Sequence, residues 1–387
     1  MKPATTEFLR QRFTEYYRKE RIQSPPSVGE REFGFILFDP GSPEVRMRRH
    51  MGFGTAGELT DYIRSLVPAH AFYSSAYYTA PGAGTMAEKG WTGADLIFDL
   101  DADHLVRKPY PPYSAMLDRV KLETGKLLTM LTDELGFSPH NIHLVFSGGR
   151  GYHIHVKEIG VRGWRSQERR ELIDYVCGIG IDPLVLLSGS AGGVRGWKER
   201  YISTISEYLL WLKGLGREEA VEHLMELPGI DKRQAHRFHD SIDTYLEGLG
   251  KDDFDPLLAN QVFAAIAGTE DGKFRELLRS RAALADEPVT TDTRRLIRMP
   301  TSLHGGSGLR VTPVPLADFD AFDPLRDAVV FSDRSVKVEM GMNLSMEMMG
   351  SSYQLAKGTA AVPEALAVFL CARGFAEVAG EGGRGPP

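Results

Sequence analysis

The sequence predicts a protein of the α/β (α+β) class, because strand-like and helix-like segments both occur along it. Residues 31–38 and 45–50 are typical of two strands joined by a Pro-Gly-Ser-Pro turn. Residues 142–146 form another apolar run of strand length. Apolar side chains three or four positions apart predict an amphipathic helix at residues 6–20. We therefore expect helices packed on a sheet.

Further helices are predicted by the same spacing. Residues 117–135 carry leucine and valine on one face, and Gly136 would end that helix. Residues 362–371 suggest a last helix, and the first helix would be capped by Thr5 or Thr6. Residues 166–281 are helical in propensity and contain no cluster of catalytic residue types. This long region is expected to form an accessory helical subdomain.

Composition limits the class of protein. With 387 residues the chain is long enough for two domains, or for one large catalytic domain with an inserted subdomain. Its net charge of −6 excludes a uniformly basic coat for nucleic acid but not a local basic cleft. Two cysteines exclude a disulfide framework and a Cys-rich zinc knuckle. No signal region or apolar run of about 18 residues is seen, so we expect a soluble, cytoplasmic protein without membrane contact.

Residues 95–103 combine an apolar run with four acidic side chains. Leu96, Ile97, Phe98 and Leu100 would suit a buried strand, yet Asp99 and Asp101 interrupt it. Side chains two apart on a strand point to the same face, about 7 Å apart, so both carboxylates could hold Mg²⁺ or Mn²⁺. Asp103 would lie beyond the strand end, in a peripheral position. An acidic, solvated turn at the strand end explains the pattern equally well.

Residues 147–156 follow the strand at residues 142–146. Three glycines in five residues allow a sharp turn with exposed amide groups, a geometry suited to anions. Arg150 and His153 add donors that fit phosphate oxygens. An ordinary hairpin is the alternative. His153 and His155 could also form a metal pair, but no third nitrogen or sulfur ligand is close in sequence, and this interpretation is less favoured.

Residues 286–309 form a second concentration of aspartate, arginine, histidine and glycine. Strand and loop structure is expected there, and the residue types match those of the two earlier motifs. A solvated surface loop is the alternative. A shared site would unite metal-binding carboxylates with basic groups for a triphosphate, which is the arrangement that two-metal phosphoryl transfer requires. The reaction class is then nucleotidyl transfer.

Three motifs together resemble the catalytic small subunit of archaeal and eukaryotic-type DNA primase. They are FDLD at residues 98–101, SGGRGYH at residues 147–153 and RLIRMPTSLHG at residues 295–305. The resemblance extends over nearly the whole chain and implies a primase-type core with an RRM-like mixed sheet flanked by helices. The expected division is a catalytic core at residues 1–165 and 282–379, a helical subdomain at 166–281 and a disordered tail at 380–387.

The resemblance also implies roles for individual residues. Asp99 and Asp101 match the metal-binding pair, and Asp286 is the best match to a third catalytic aspartate, with Asp292 as the competing choice. The residues that match the nucleotide-binding positions are Ser147, Arg150, His153, Arg298 and His304. Two departures are present: residues 104–146 contain no cysteine, so structural zinc is doubtful, and Gly306 stands where many archaeal members have lysine.

By the same resemblance, the enzyme would synthesise short primers on single-stranded DNA from nucleoside triphosphates, with Mg²⁺ or Mn²⁺ and release of pyrophosphate. Its partner would be a primase large subunit that carries an iron–sulfur domain. A primer-extending repair or end-joining polymerase of the same superfamily is the nearest alternative. A non-catalytic DNA-binding scaffold is the alternative from another class.

Overall fold

The structure is a computed structural model that describes residues 1–38, 46–105, 111–188, 195–251, 253–268 and 271–379, with backbone alone at residues 104, 105 and 184. The turn expected at residues 40–43 and the disordered tail expected at residues 380–387 lie outside the described residues.

The described residues contain fifteen strands, most of them short. In chain order they are β1 (Phe33–Leu37), β2 (Met47–Met51), β3 (Pro68–Ser74), β4 (Ala76–Tyr78), β5 (Trp91–Ala94), β6 (Leu96–Asp101), β7 (Ile142–Phe146), β8 (Gly151–Val156), β9 (Leu296–Arg298), β10 (Thr312–Val314), β11 (Ser335–Met340), β12 (Leu344–Met348), β13 (Ser351–Leu355), β14 (Gly358–Pro363) and β15 (Ala376–Val378).

The same part of the chain contains sixteen α-helices. They are α1 (Pro3–Lys19), α2 (Ala56–Leu66), α3 (Ala102–Leu105), α4 (Tyr113–Thr129), α5 (Ser166–Cys177), α6 (Pro183–Ser188), α7 (Trp197–Leu215), α8 (Arg217–Met225), α9 (Lys232–Asp240), α10 (Ile242–Leu249), α11 (Asp255–Leu258), α12 (Gln261–Gly268), α13 (Gly272–Arg281), α14 (Glu287–Thr291), α15 (Pro324–Asp327) and α16 (Glu364–Ala372). None of them is both long and apolar enough to cross a membrane.

The described residues divide into two compact units. The first contains residues from 1–124, from 137–170 and from 286 onward, and the second contains residues from 125–136 and 171–285. All strands belong to the first unit, whereas the second is helical. The α+β prediction is confirmed.

Two four-stranded sheets form the centre of the first unit. Their strand orders are β2-β1-β3-β9 and β10-β7-β8-β6, and a three-stranded sheet has the order β14-β11-β15. Every pairing between the described strands is antiparallel. The mixed sheet that the resemblance implied is therefore wrong in strand direction, because the neighbours in each sheet run opposite to one another.

The core of the first unit forms where alternate strand residues meet helices. Phe33 and Phe35 of β1, Tyr73 of β3 and Ile297 of β9 are buried in one cluster with Phe13 of α1. Side chains that alternate along a strand point to opposite faces, so the intervening residues of these strands face away from this cluster. The apolar cluster fixes the position of β9.

Two details of the predicted elements are wrong. Helix α1 begins before both predicted caps: its N-cap is Lys2, Pro3 occupies its first turn, and Thr5 and Thr6 are buried within it. Proline suits that position because its missing N–H would have had no partner there. Residues 287–291 form the short helix α14 rather than a strand.

The second unit has a core of its own. Helix α7 buries Tyr201, Ile205, Leu209 and Leu212 on one face, at the spacing of an amphipathic helix. Asp271 caps α13 by accepting a hydrogen bond from the Phe274 N–H at 2.7 Å. The helical propensity predicted for residues 166–281 is confirmed by helices α5 to α13 within the described residues.

Candidate active site

Strands β6 and β8 place the two motif aspartates on one face of a sheet. Asp99 lies opposite His153, and Asp101 lies opposite Gly151, in an antiparallel register without a bulge. That face borders a cavity of about 380 Å³. The cavity is lined by Phe72, Asp99, Asp101, Asp103, Ser147, Gly149, Arg150, His153, Arg295, Leu296, Ile297, Arg298, His304, Gly306 and Arg373. Residues of all three sequence motifs therefore meet there.

Asp99 and Asp101 are only partly buried. Their side chains are 20% and 29% exposed, so both carboxylates reach the cavity. Nε2 of His153 lies 3.5 Å from Oδ1 of Asp99. Oδ1 of Asp101 accepts a hydrogen bond of 2.9 Å from the Asp103 N–H, which closes the turn into α3. Both aspartates therefore line the cavity.

The glycine turn between β7 and β8 is shaped by contacts that only glycine allows. Gly148 has a positive φ of 74°, and a Cβ atom there would lie 2.8 Å from Cβ of His304. A Cβ on Gly151 would lie 2.3 Å from the carbonyl oxygen of Leu100. The hydroxyl of Ser147 accepts a hydrogen bond from the Gly149 N–H at 3.3 Å. The predicted hairpin is therefore present, and its turn borders the cavity.

Asp103 is not peripheral, contrary to the sequence interpretation. It lines the cavity, and its carboxylate accepts a hydrogen bond from Nη2 of Arg150, which also lies 3.7 Å from Oδ1 of Asp101. The strand ends at Asp101 as expected, but α3 then turns Asp103 back toward Arg150. In this structure Arg150 is therefore held by carboxylates.

The two motif histidines are neutral. Burial, with smaller contributions from Arg298 and Arg295, lowers the pKa of His153 to about 3. Burial also lowers the pKa of His304 well below its usual value. Nδ1 of His304 accepts a hydrogen bond of 3.1 Å from the Gly306 N–H, which assigns the ring proton to Nε2. Neutral imidazoles can donate one hydrogen bond each to an anionic ligand without adding charge.

Arg298, at the end of β9, is a positioned cation. Its Nη1 atom donates to Nδ1 of His70 at 2.7 Å, and its guanidinium lies 5.1 Å from the centre of the Phe72 ring. Burial lowers the pKa of Arg298 to about 10, while Asp99 and Asp101 oppose that shift. Arg298 therefore stays charged at neutral pH and faces the aspartate pair.

Asp286 and Asp292 differ in their relation to the aspartate pair. The N–H of Asp286 donates to the carbonyl oxygen of Asp99 at 2.9 Å, whereas Oδ1 of Asp292 accepts from the Arg294 N–H in a local turn. Neither residue lines the cavity. Within the described ranges, no three acidic, histidine or cysteine side chains converge as a metal cluster. The backbone contact supports Asp286 as the closer of the two.

The carboxylate pair suits a divalent cation whose remaining ligands come from a substrate. Mg²⁺ is commonly held by one or two carboxylates together with substrate phosphate oxygens, and hard cations prefer oxygen donors. Asp99 and Asp101 supply such oxygens on one strand face, partly exposed. A cage of protein ligands alone is not needed for that type of site.

Besides Asp103, sequence reasoning missed three aromatic or charged residues that line the cavity. Phe72 comes from β3, Arg295 directly precedes β9, and Arg373 follows α16. Arg295 belonged to a recognised motif and could have been included. No motif or spacing pointed to Phe72 or Arg373, because only the fold brings these distant segments to the cavity.

Comparison with known proteins identifies the family of this chain. The sequence model of one family, described as DNA primase small subunit, matches residues 98–316. The DNA primase small subunit PriS of Methanoregula boonei is 58% identical over 98% of this chain and 100% of its own length. The chain belongs to the DNA primase small subunit family.

Other relatives of the DNA primase small subunit family cover the chain equally well. The protein named DNA primase small subunit PriS in Methanosphaerula palustris is 51% identical over 98% of this chain and 99% of its own length. Its namesake in Halorubrum lacusprofundi is 40% identical over 98% of this chain and 100% of its own length. DNA primase small subunits are the nucleotidyltransferase subunits of primase, so this chain is an enzyme of DNA replication. The family name also implies a larger partner subunit.

Proposed function

We propose that this chain starts new strands on single-stranded DNA by template-directed nucleotidyl transfer. One observation carries the proposal: a single cavity joins the Asp99–Asp101 pair to basic side chains from the turn at residues 147–153 and the segment at residues 295–305. Carboxylates beside a phosphate-binding set of cations are what transfer from a nucleoside triphosphate requires. The products would be short primers.

Asp99 and Asp101 would hold Mg²⁺ or Mn²⁺, with Asp286 as the third acidic residue. Such cations neutralise charge that develops on the phosphate oxygens and favour ionisation of the attacking hydroxyl. The side chains orient the substrates: the growing strand's 3′ oxygen bonds to the α-phosphorus, the bond from that phosphorus to the β-phosphate oxygen breaks, and pyrophosphate leaves. The 3′ hydroxyl proton passes to solvent water in the same step.

The basic and neutral donors of the cavity would bind the triphosphate. Arg150 can present two parallel N–H groups to phosphate oxygens, and Arg298 adds a second guanidinium. His153 and His304 would each donate one hydrogen bond from a neutral ring. Ser147 fixes the turn through its bond with the Gly149 N–H. Arg150 must exchange its contact with Asp103 for the ligand.

Template binding would depend on a local basic surface and on a partner. The net charge of −6 makes a uniform electrostatic attraction to DNA impossible. We propose a heterodimer with a primase large subunit, in which any iron–sulfur cluster comes from the partner because this chain has only two cysteines. Binding to single-stranded DNA should then weaken steeply with salt.

A primer-synthesis assay tests the proposal. The purified chain, alone and with its large subunit, is given a single-stranded template, labelled nucleotides and either Mg²⁺ or Mn²⁺. Labelled chains made without a supplied primer support primase activity. Extension of supplied primers alone would indicate a repair or end-joining polymerase, and no incorporation under any condition would indicate a non-catalytic scaffold. A reaction with EDTA controls for the metal requirement.

A further inference from the structure

Arg373 reaches the cavity from a rigid support. It is the C-cap of α16, a helix whose residues are almost all buried. The Arg373 N–H donates to the carbonyl oxygen of Phe369 at 3.0 Å, and the following Gly374 has a positive φ of 74°. The Phe375 N–H then donates to the carbonyl oxygen of Leu370 at 2.9 Å. This pattern ends the helix sharply and fixes the backbone from which the Arg373 side chain extends.

Aromatic rings hold the Arg373 side chain. Its guanidinium lies 5.3 Å from the centre of the Tyr113 ring and 5.8 Å from that of Phe375. The Tyr113 hydroxyl donates to the carbonyl oxygen of Gly149, in the glycine turn beside Arg150. Tyr113 also packs edge-on against Phe369 of α16, with ring centres 5.1 Å apart. The rings therefore connect Arg373 to the turn that faces the cavity.

The charge of Arg373 is available to a ligand. Arg150 contacts Asp103, and Arg298 donates to His70 and faces the aspartate pair. In contrast, no carboxylate among the described residues lies within 4.0 Å of the Arg373 nitrogens. An arginine without a carboxylate partner, in a cavity proposed to bind a triphosphate, can form charge-assisted hydrogen bonds with that anion at little cost.

We propose that Arg373 is a further binding residue for the nucleoside triphosphate. It would contact the phosphate groups at the side of the cavity where His304 approaches Gly149. The inference rests on the proposed function, because it assumes that a triphosphate occupies the cavity. It adds a residue that lies outside residues 98–316 and outside every motif discussed above. His304 shares this side of the cavity, since its Nε2 atom would lie 3.0 Å from a Cβ atom on Gly149.

The test compares Arg373→Ala, Arg373→Met and Arg373→Lys with the unaltered chain. Binding of a non-hydrolysable nucleoside triphosphate, of inorganic tripolyphosphate and of a nucleoside monophosphate is measured by calorimetry. Arg373→Ala and Arg373→Met should weaken binding of both polyphosphates about tenfold or more, since a hydrogen bond to a charged group is lost. Monophosphate binding should change much less. Lysine should restore part of the affinity, and KM should rise more than kcat falls.

Controls separate this inference from folding and from the proposed function. Methionine removes the charge but keeps a long apolar side chain at this position, so a loss shared by Arg373→Met and Arg373→Ala reports charge rather than side-chain length. Arg10→Ala removes an exposed arginine of α1, 54% exposed, and should leave binding unchanged. If the unaltered chain binds triphosphate and Arg373→Met binds it equally well, this inference fails alone. If the unaltered chain binds no triphosphate, the proposed function fails first. Weaker binding of single-stranded DNA with unchanged triphosphate affinity would also overturn the assignment.

Discussion

The two ends of strand β6 carry the same type of side chain in opposite environments. Asp95, which directly precedes the strand, is fully buried: Oδ2 lies 2.7 Å from Nη2 of Arg31, and Oδ1 accepts from the Tyr77 hydroxyl at 2.8 Å. Asp101, at the other end, is 29% exposed beside the cavity. One carboxylate is satisfied by the protein, whereas the other keeps oxygens for a ligand.

The contrast shows that the role of a carboxylate in an apolar strand depends on the groups that surround it. Arg31 also donates to the carbonyl oxygens of Ser74 and Ser75, so the Asp95–Arg31 pair joins three segments of the chain. A buried pair of this kind is costly to break because the remaining charge loses its partner. Asp101 contributes little to the stability of the fold. Its replacement should therefore reduce catalysis rather than destabilise the protein.

Replacing Asp101 should give the largest effect. We expect Asp101→Ala to lower primer synthesis by at least about 10²–10³-fold, because a charge that stabilises the reacting phosphates is removed. The midpoint of thermal unfolding should stay within about 2 °C of the unaltered value, since an exposed ion pair contributes little. Asp61→Ala, in an exposed part of α2, is the matched control. A folded Asp101→Ala enzyme with full activity would refute the metal assignment.

Replacing Asp95 should reverse that pattern. Asp95→Ala leaves the buried Arg31 with backbone acceptors alone, and we expect a loss of about 3 kcal/mol in the free energy of unfolding of the first unit. The thermal midpoint would then fall by about 6–12 °C. Activity per folded molecule should change little at a temperature below the transition. A stable Asp95→Ala variant with no activity would place Asp95 in the chemistry and abolish the contrast.

Arg150→Ala should mainly weaken substrate binding. A lost hydrogen bond between charged groups corresponds to an increase of about tenfold or more in the KM for nucleotide. The value of kcat should fall less than KM rises. Steady-state extension of a supplied primer at varied nucleotide concentration measures both constants. Arg10→Ala, on the exposed face of α1, serves as control and should match the unaltered enzyme. An unchanged KM for Arg150→Ala would count against its phosphate contact.

Asp103→Asn should give the smallest effect, with the opposite sign. The exchange removes the carboxylate that engages Arg150 in this structure, so the guanidinium is released for a ligand. Because Asp103 is 48% exposed, the gain is limited to about fivefold tighter triphosphate binding. Calorimetric titration of a non-hydrolysable triphosphate would detect it. Weaker binding would show instead that Asp103 positions Arg150 productively.

Much of the site could be predicted from the sequence because strand periodicity is strict. Once β6 is recognised, the shared face of Asp99 and Asp101 follows from the alternation of side chains. The glycine turn was equally predictable, because three glycines in five residues indicate a sharp turn. The structure shows why glycine is needed there: His304 and Leu100 approach the turn closely. Local sequence patterns of this kind are sufficient to predict the local geometry.

Other parts could not be predicted, or were predicted wrongly, for physical reasons. Asp103 turns back to Arg150 only because a short helix follows the strand, and no periodicity reports that turn. Residues 287–291 contain valine and threonine, which favoured a strand, but Asp286 as N-cap and Pro288 in the first turn are helix-start signals. Arg373 reaches the cavity through tertiary packing of α16, which lies far from every motif in sequence.

The contact between the glycine turn and the late basic segment has a consequence for the order of folding. The Ser307 hydroxyl donates to the carbonyl oxygen of Gly148, 159 residues earlier in the chain. Most of the second unit, residues 171–285, lies between these two positions. The chain is synthesised from its amino terminus, so the helical unit is made before His304 can contact Gly148. Nucleotide binding should appear late in synthesis, after the helical unit has already emerged.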